Sequence, residues 1–171
     1  MKKPSFHILF IILLILQVLL MQFFTFSRFV MINFLPVMIL CIPIDKGNIF
    51  AMIVAFVTGL VVDFIGDGML GLTSLALVPT ALSRLFILRI VFGSEIIARG
   101  DNISVRKQGV PKMLLASFIT CSLFNIIYIS IDAAGTMAPW LLIIRLLCTS
   151  VASTLVSFFV ADLLTSDNKW K

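Results

Sequence analysis

Residues 49 to 92 read IFAMIVAFVTGLVVDFIGDGMLGLTSLALVPTALSRLFILRIVF. The only charges in this stretch are Asp63 and Asp67, beside glycines at 66, 68 and 71, and Arg84 and Arg89 near its end. The two apolar runs it contains, 49 to 65 and 69 to 92, are each close to the ~20 residues a helix needs to cross the ~30 Å of bilayer hydrocarbon. Glycine at the break permits a sharp reversal of the chain. The stretch therefore reads as a helical hairpin in a membrane, and the rest of the chain has to fit that solvent.

Working outward, further apolar runs fall at 5 to 26, 29 to 44, 113 to 131 and 139 to 164. The whole chain of 171 residues is 61% hydrophobic and 12% charged, about half the charge of a soluble domain. That composition excludes a soluble globule, and too few residues remain outside the runs to build a second core. Residues 1 to 171 are expected to form a single transmembrane domain of six helices. The run at 29 to 44 is short and contains Asn33, Pro36 and Pro43.

Charge placement supports six crossings. With both termini cytoplasmic, the inner side receives Lys2, Lys3, Lys46, Arg99, Arg106, Lys107, Lys112, Lys169 and Lys171, and the outer side only Arg28, as the positive-inside rule requires. The net charge of +5 then reflects topology and does not point to nucleic acid. The N-terminus resembles a secretory signal, but its apolar run is too long and no small-x-small cleavage site follows, so it is expected to remain as the first span. The polar segment 93 to 112 is expected to face the cytoplasm as a solvated loop or against anionic lipid.

Ala51, Ala55, Gly59 and Asp63 recur at steps of four along the third helix. Such a stripe of small residues lets helix backbones approach closely in lipid. Asp63 at the hydrocarbon edge requires compensation. One expectation is an ion pair with Arg145; the other is that Asp63 bonds amides of the following turn while Arg145 extends along its own methylenes to the surface. Arg89 and Asp162 form a second candidate pair, at the cytoplasmic end; the alternative, preferred for Arg89, is that Arg84 or Arg89 reaches headgroup phosphates along its own methylenes. Asn125, with Ser117 and Cys121 on one stripe of the fifth helix, reads as interhelical hydrogen bonding.

No catalytic constellation emerges. Asp63 and Asp67 are four apart on one element, whereas an intramembrane aspartyl protease needs its two carboxylates on different helices. A serine hydrolase needs a base within the membrane, and the single histidine is His7. No phosphate-cradling loop or metal-ligand spacing is present, and Cys41, Cys121 and Cys148 lie inside apolar runs as packing residues. Neither a metal nor another cofactor is expected.

The run Gly59 Leu60 Val61 Val62 Asp63 Phe64 Ile65 Gly66 Asp67 Gly68 Met69 Leu70 Gly71 Leu72 Thr73 Ser74 Leu75 resembles the central signature of the rod shape-determining MreD family, a Gly-x-x-x-Asp helix end followed by a glycine-containing turn and a Leu-Gly-Leu-type start. Length, the N-terminal lysines and the short loops also match. Asp67 departs from the small neutral residue common at that position in the family.

The resemblance implies a noncatalytic protein of the bacterial inner membrane that binds MreC. Through MreC it would reach the actin-like MreB and the polymerase and transpeptidase that build the side wall. Asp63 and Gly71 would be its characteristic positions, with Gly59, Gly66 and Gly68 completing the signature. It also implies a fold similar to the six-helix substrate-binding components of energy-coupling-factor transporters. The expected mechanism is a groove of small residues that receives a partner helix, in contact with membrane lipids and compatible with a homo-oligomer. The rival expectation is a transporter component that binds a vitamin-like molecule between its helices.

Overall fold

A computed structural model describes residues 6–24, 32–66, 69–94, 109–133 and 139–166. About 90% of the described residues are helical and none is in a strand. The helices are α1 (Phe6–Phe24), α2 (Leu35–Leu40), α3 (Gly47–Ile65), α4 (Leu72–Phe92), α5 (Val110–Asp132) and α6 (Pro139–Ser166), with a 3-10 turn at Ile44–Lys46 before α3. Four segments, Ile44–Ile65, Leu72–Phe92, Val110–Asp132 and Trp140–Leu164, are long and apolar enough to cross a membrane, and Ile8–Gln22 is a shorter apolar helix.

Helices α1, α3, α4, α5 and α6 pack in that order as a ring that closes from α6 back to α1, and α2 stands inside it in contact with all five. Three hydrogen bonds fix the directions. Gln22 donates from Nε2 to the Ile65 carbonyl at 3.2 Å, which brings the C-terminal ends of α1 and α3 together and makes them parallel. Asn48 Nδ2 donates to the Leu82 carbonyl at 3.2 Å and Ser74 Oγ to the Phe56 carbonyl at 3.1 Å, so α4 runs back beside α3. Because α1 and α3 point the same way, residues 32–42 return through the middle of the ring between them.

That return corrects the expectation for the run at 29 to 44. Instead of a full helix, its described part holds six helical residues, Leu35–Leu40, about 9 Å at ~1.5 Å per residue. Pro36 occupies the first turn, where its missing N–H costs nothing. Asn33 precedes the helix and Pro43 follows the turn that ends it, so the sequence cannot prolong the helix in either direction.

The surface is inverted relative to a soluble protein. Seventeen polar or charged residues among those described are buried, while Ile8, Ile12, Phe56, Phe86, Ile143 and Phe159 are among the large apolar side chains that face outward. This is the distribution expected of a multi-pass membrane protein, because lipid offers no hydrogen bonds to an outward polar group.

Packing between α3 and α4 depends on the small stripe. Ala51 and Ala55 are fully buried, and a Cβ on Gly59 would lie 2.6 Å from the Ser74 Cα. The stripe is therefore filled by the chain's own α4, which removes it as an open groove for a partner helix. Gly59→Ala forces backbone apart and is expected to destabilise the bundle by about 1–3 kcal/mol, the usual cost of overpacking. Leu60→Ala on the outer face should change little. Thermal unfolding of both variants in one detergent checks the contrast.

Candidate functional site

The turn between α3 and α4 is organised by one carboxylate. Asp63, 5% exposed, accepts from the Gly71 amide at 2.9 Å through Oδ2. It also accepts from the Thr73 amide at 3.0 Å through Oδ2 and 3.2 Å through Oδ1. These are orphan donors at the start of α4, and a carboxylate there also meets the positive end of the helix dipole. Gly71 sits at φ 93°, a left-handed conformation that costs glycine little. The last turn of α3 is closed by Gly66, whose amide donates to the Val62 carbonyl at 2.8 Å. Gly68 and Asp67 lie outside the described residues.

Of the two expectations for Asp63, the structure bears out bonding to the turn and overturns the ion pair with Arg145. Arg145 instead lies 2.9 Å from Asp132 at the end of α5. Sequence reasoning missed Asp132 because it sits at the edge of an apolar run and looks like a loop residue. Tyr128, one turn below Asp132, is buried and its ring stacks on that of Phe124 with centroids 5.6 Å apart. The other expected pair does not form: Arg89 and Asp162 are both exposed and make no ion pair with each other.

From Asp132 and Arg145 a polar ladder descends the seam between α5 and α6. Asn125 Nδ2 lies 3.3 Å from Ser150 Oγ, and Cys121 Sγ lies 3.4 Å from Ser157 Oγ. The interhelical role read for Asn125 and Cys121 is thus realised, whereas Ser117 is fully buried and its hydroxyl has no hydrogen-bond partner. Cys148 departs from its expected packing role and is exposed on the outer face, whereas Cys41 and Cys121 are buried. Ser150, Ser153 and Ser157 fall on one helical stripe, the sequence signal that would have located the ladder.

The third polar assembly holds the broken segment. Gln17 of α1 clamps it with both ends of one amide: Nε2 donates to the Ile32 carbonyl at 3.1 Å and Oε1 accepts from the Phe34 amide at 3.2 Å. Ser153 of α6 accepts from the Asn33 amide at 3.1 Å, and Asn33 Oδ1 accepts from the Leu35 amide at 3.1 Å. At the other end of α2, Arg84 of α4 donates from Nε to the Leu40 carbonyl at 3.1 Å and from Nη2 to the Ile42 carbonyl. Arg84 is 1% exposed.

Between these assemblies lies a cavity of about 10 Å³ lined by Met21, Asn33, Phe124, Asn125, Tyr128, Ile129 and Thr149. That is scarcely room for one water and far below the 300 Å³ or more typical of small-molecule sites. Among the described residues no three His, Cys, Asp or Glu side chains gather as metal ligands. Among the described residues the arrangement fastens helices and charges in place.

Both polar devices predict measurable losses. Asp63→Ala strands two amides and Arg84→Leu strands two carbonyls, each stranded group costing about 1–3 kcal/mol. Both variants are expected to unfold at lower temperature in detergent than the parent, and Asp63→Asn, which retains an acceptor, should recover part of the loss. Equal melting of Asp63→Ala and the parent would contradict the clasp.

The chain matches no family model, no curated protein and no solved structure.

Proposed function

We propose that this chain is a noncatalytic scaffold of the bacterial inner membrane of the MreD kind, crossing six times with both ends cytoplasmic. In this role it binds MreC and, through MreC, serves MreB and the side-wall polymerase and transpeptidase. The observation that carries the reading is the occupied interior. The buried polar groups are spent largely on the chain's own backbone and helices, and the small stripe is consumed by α4. Work is left to the outer faces and the two ends.

Further support comes from the role of Asp63. The signature Gly-x-x-x-Asp with its glycine turn is one physical device: Gly59 admits α4 against α3, and Asp63 then caps α4 through Gly71 and Thr73. The parallel course of α1 and α3 supports a second crossing by residues 32–42, and six crossings return the C-terminus to the side on which the chain began. With the groove filled, the partner helix belongs on an outer face and not in the small stripe.

A transporter component that binds a small molecule is the second reading. What favours it is the grouping of Asn33, Asn125, Tyr128 and Thr149 around one cavity, close to the ion pair of Asp132 and Arg145; what opposes it is the cavity's size.

Purification from native membranes in mild detergent separates the two. The scaffold reading expects MreC and elongation proteins to accompany the chain; recovery of a transport ATPase with a bound metabolite, identified by mass spectrometry, would replace it. Gly59→Ala is expected to lower MreC recovery only in proportion to the amount of folded protein. A selective loss of MreC at full folding would return the contact to the α3 stripe.

A further inference from the structure

Hydrogen bonds fix the relative heights of the helices at the end of the bundle that carries the α3–α4 turn. Gln17 of α1 and Ser153 of α6 bind consecutive amides of the broken segment, those of Phe34 and Asn33, so the two residues stand at one level. Four residues on along α1 and four back along α6, Met21 and Thr149 line the same cavity, so both counts climb toward that end together. Gln22, whose side chain binds the Ile65 carbonyl at the end of α3, is then ~7.5 Å above Gln17 at ~1.5 Å per residue. On α6 the same rise puts Arg145 ~12 Å and Trp140 ~20 Å above Ser153. The end of α3 therefore lies ~5 Å below the ion pair of Arg145 with Asp132 and ~12 Å below Trp140.

That level is inside the hydrocarbon. On α5 the exposed Lys112 and Asp132 are twenty positions apart, ~30 Å along the helix and the full thickness of the apolar layer, so Asp132 marks its boundary and the end of α3 falls short of it. The surface of the turn agrees. Phe64, Met69 and Leu70 are 80%, 76% and 72% exposed, and Ile65 is exposed beside them. The backbone agrees as well. The amides of Gly66 and Leu72 bond the Val62 and Met69 carbonyls, and those of Gly71 and Thr73 bond Asp63. A turn in water could leave such donors to the solvent; one in lipid must pair them within the chain.

We infer that the α3–α4 turn is submerged in the leaflet at its end of the bundle, and that Phe64, Ile65, Met69 and Leu70 form a surface for lipid acyl chains. The inference needs only that the helices cross a membrane, and it holds for either orientation and either reading of the function. A soluble partner approaching this end meets Trp140 and Asp132 first, because they stand higher. The charge of Asp63 is turned inward onto amides, so the four apolar side chains offer chains of lipid a surface without a polar group. The bundle is thus shorter at the α3–α4 hairpin than along α5 and α6, and a leaflet meets a short segment by thinning over it. Such a dip also brings headgroups toward Asp67, the one charge in the sequence between Ile65 and Met69.

The test is the depth of a single tryptophan in proteoliposomes of the whole protein, prepared with phosphatidylcholine brominated at shallow or at deep positions of its chains. The reference carries Trp170→Phe and keeps Trp140, whose place at the end of a span is that of an interfacial anchor. The reporter carries Trp140→Phe, Trp170→Phe and Leu70→Trp. It is expected to emit at shorter wavelength than the reference, to be quenched severalfold less by aqueous acrylamide, and to respond more to the deep bromines, as a position ~12 Å nearer the bilayer centre requires. Met69→Trp in the same background is the second reporter should the first fold poorly, with the same result expected. Acrylamide quenching equal to that of Trp140 would put the turn in water. An indole shielded from acrylamide and bromine alike would show the turn covered by protein, a second copy of the chain included. Either outcome overturns the inference.

Discussion

A peptide group cannot enter hydrocarbon unpaired, and the architecture follows from how this chain meets that constraint. Continuous helices satisfy it internally, since each carbonyl finds an amide one turn away. The segment from Ile32 to Pro43 does so only in part, because only Leu35–Leu40 is helical: the Phe34 carbonyl and the Cys41 and Ile42 amides still bond within its turns, while the Ile32, Leu40 and Ile42 carbonyls and the Asn33, Phe34 and Leu35 amides rely on side chains. Such a segment is tolerated at membrane depth only where protein surrounds it. The ring of five helices provides that enclosure, and Gln17, Ser153 and Arg84 supply the missing partners from three different walls. The broken segment is thus both the least autonomous element and the one that makes the other helices face one centre.

Inside the ring, polar side chains do the work that apolar burial does in water. Lipid tails are as apolar as leucine, so packing Ile against Ile gains no hydrophobic free energy between helices. Two kinds of contact remain. Close approach is used at the crossing of α3 and α4, where Gly59 meets the Ser74 backbone. Directed bonds are used along α5 and α6, where Asp132 with Arg145, Asn125 with Ser150 and Cys121 with Ser157 succeed one another down the seam. The loosest member is α1, whose Ile8, Ile11, Ile12, Ile15 and Leu19 face outward and whose polar links to the rest include Gln17 and Gln22.

The helical hairpin at 49 to 92, the length of the apolar runs and the small stripe were legible in the sequence because each depends on local pattern: run length, glycine placement and a period of four. Long-range partners were not. Counting residues from the helix ends put Asp63 and Arg145 at similar depth and so suggested a pair, but depth says nothing of azimuth, and amides only eight and ten residues ahead satisfied Asp63 first. Arg84 was legible as an arginine in an apolar run, yet its acceptors lie 44 and 42 residues away on a segment that hydropathy presents as one more span. Asn33, Pro36 and Pro43 marked that segment as irregular, and what they could not convey was that the irregularity is enclosed on every side.

An interior committed to holding itself together bears on what the protein can be. A transporter component must keep part of its polar lining in reserve for a ligand and accept strain when the site is empty. Here Asn33 and Asn125, both beside the cavity, are already engaged, Asn33 with Ser153 and Leu35 and Asn125 with Ser150. A scaffold has the opposite requirement: its outer surface must keep a constant shape while partners come and go. Fixing the core by directed bonds achieves this, because a hydrogen bond in hydrocarbon has no competing water and changes partner only when another buried donor or acceptor is brought to it. The bonded centre and the plain apolar character of the exterior are two sides of one arrangement, and under the scaffold proposal specificity for a partner would come from the shape of the outer faces.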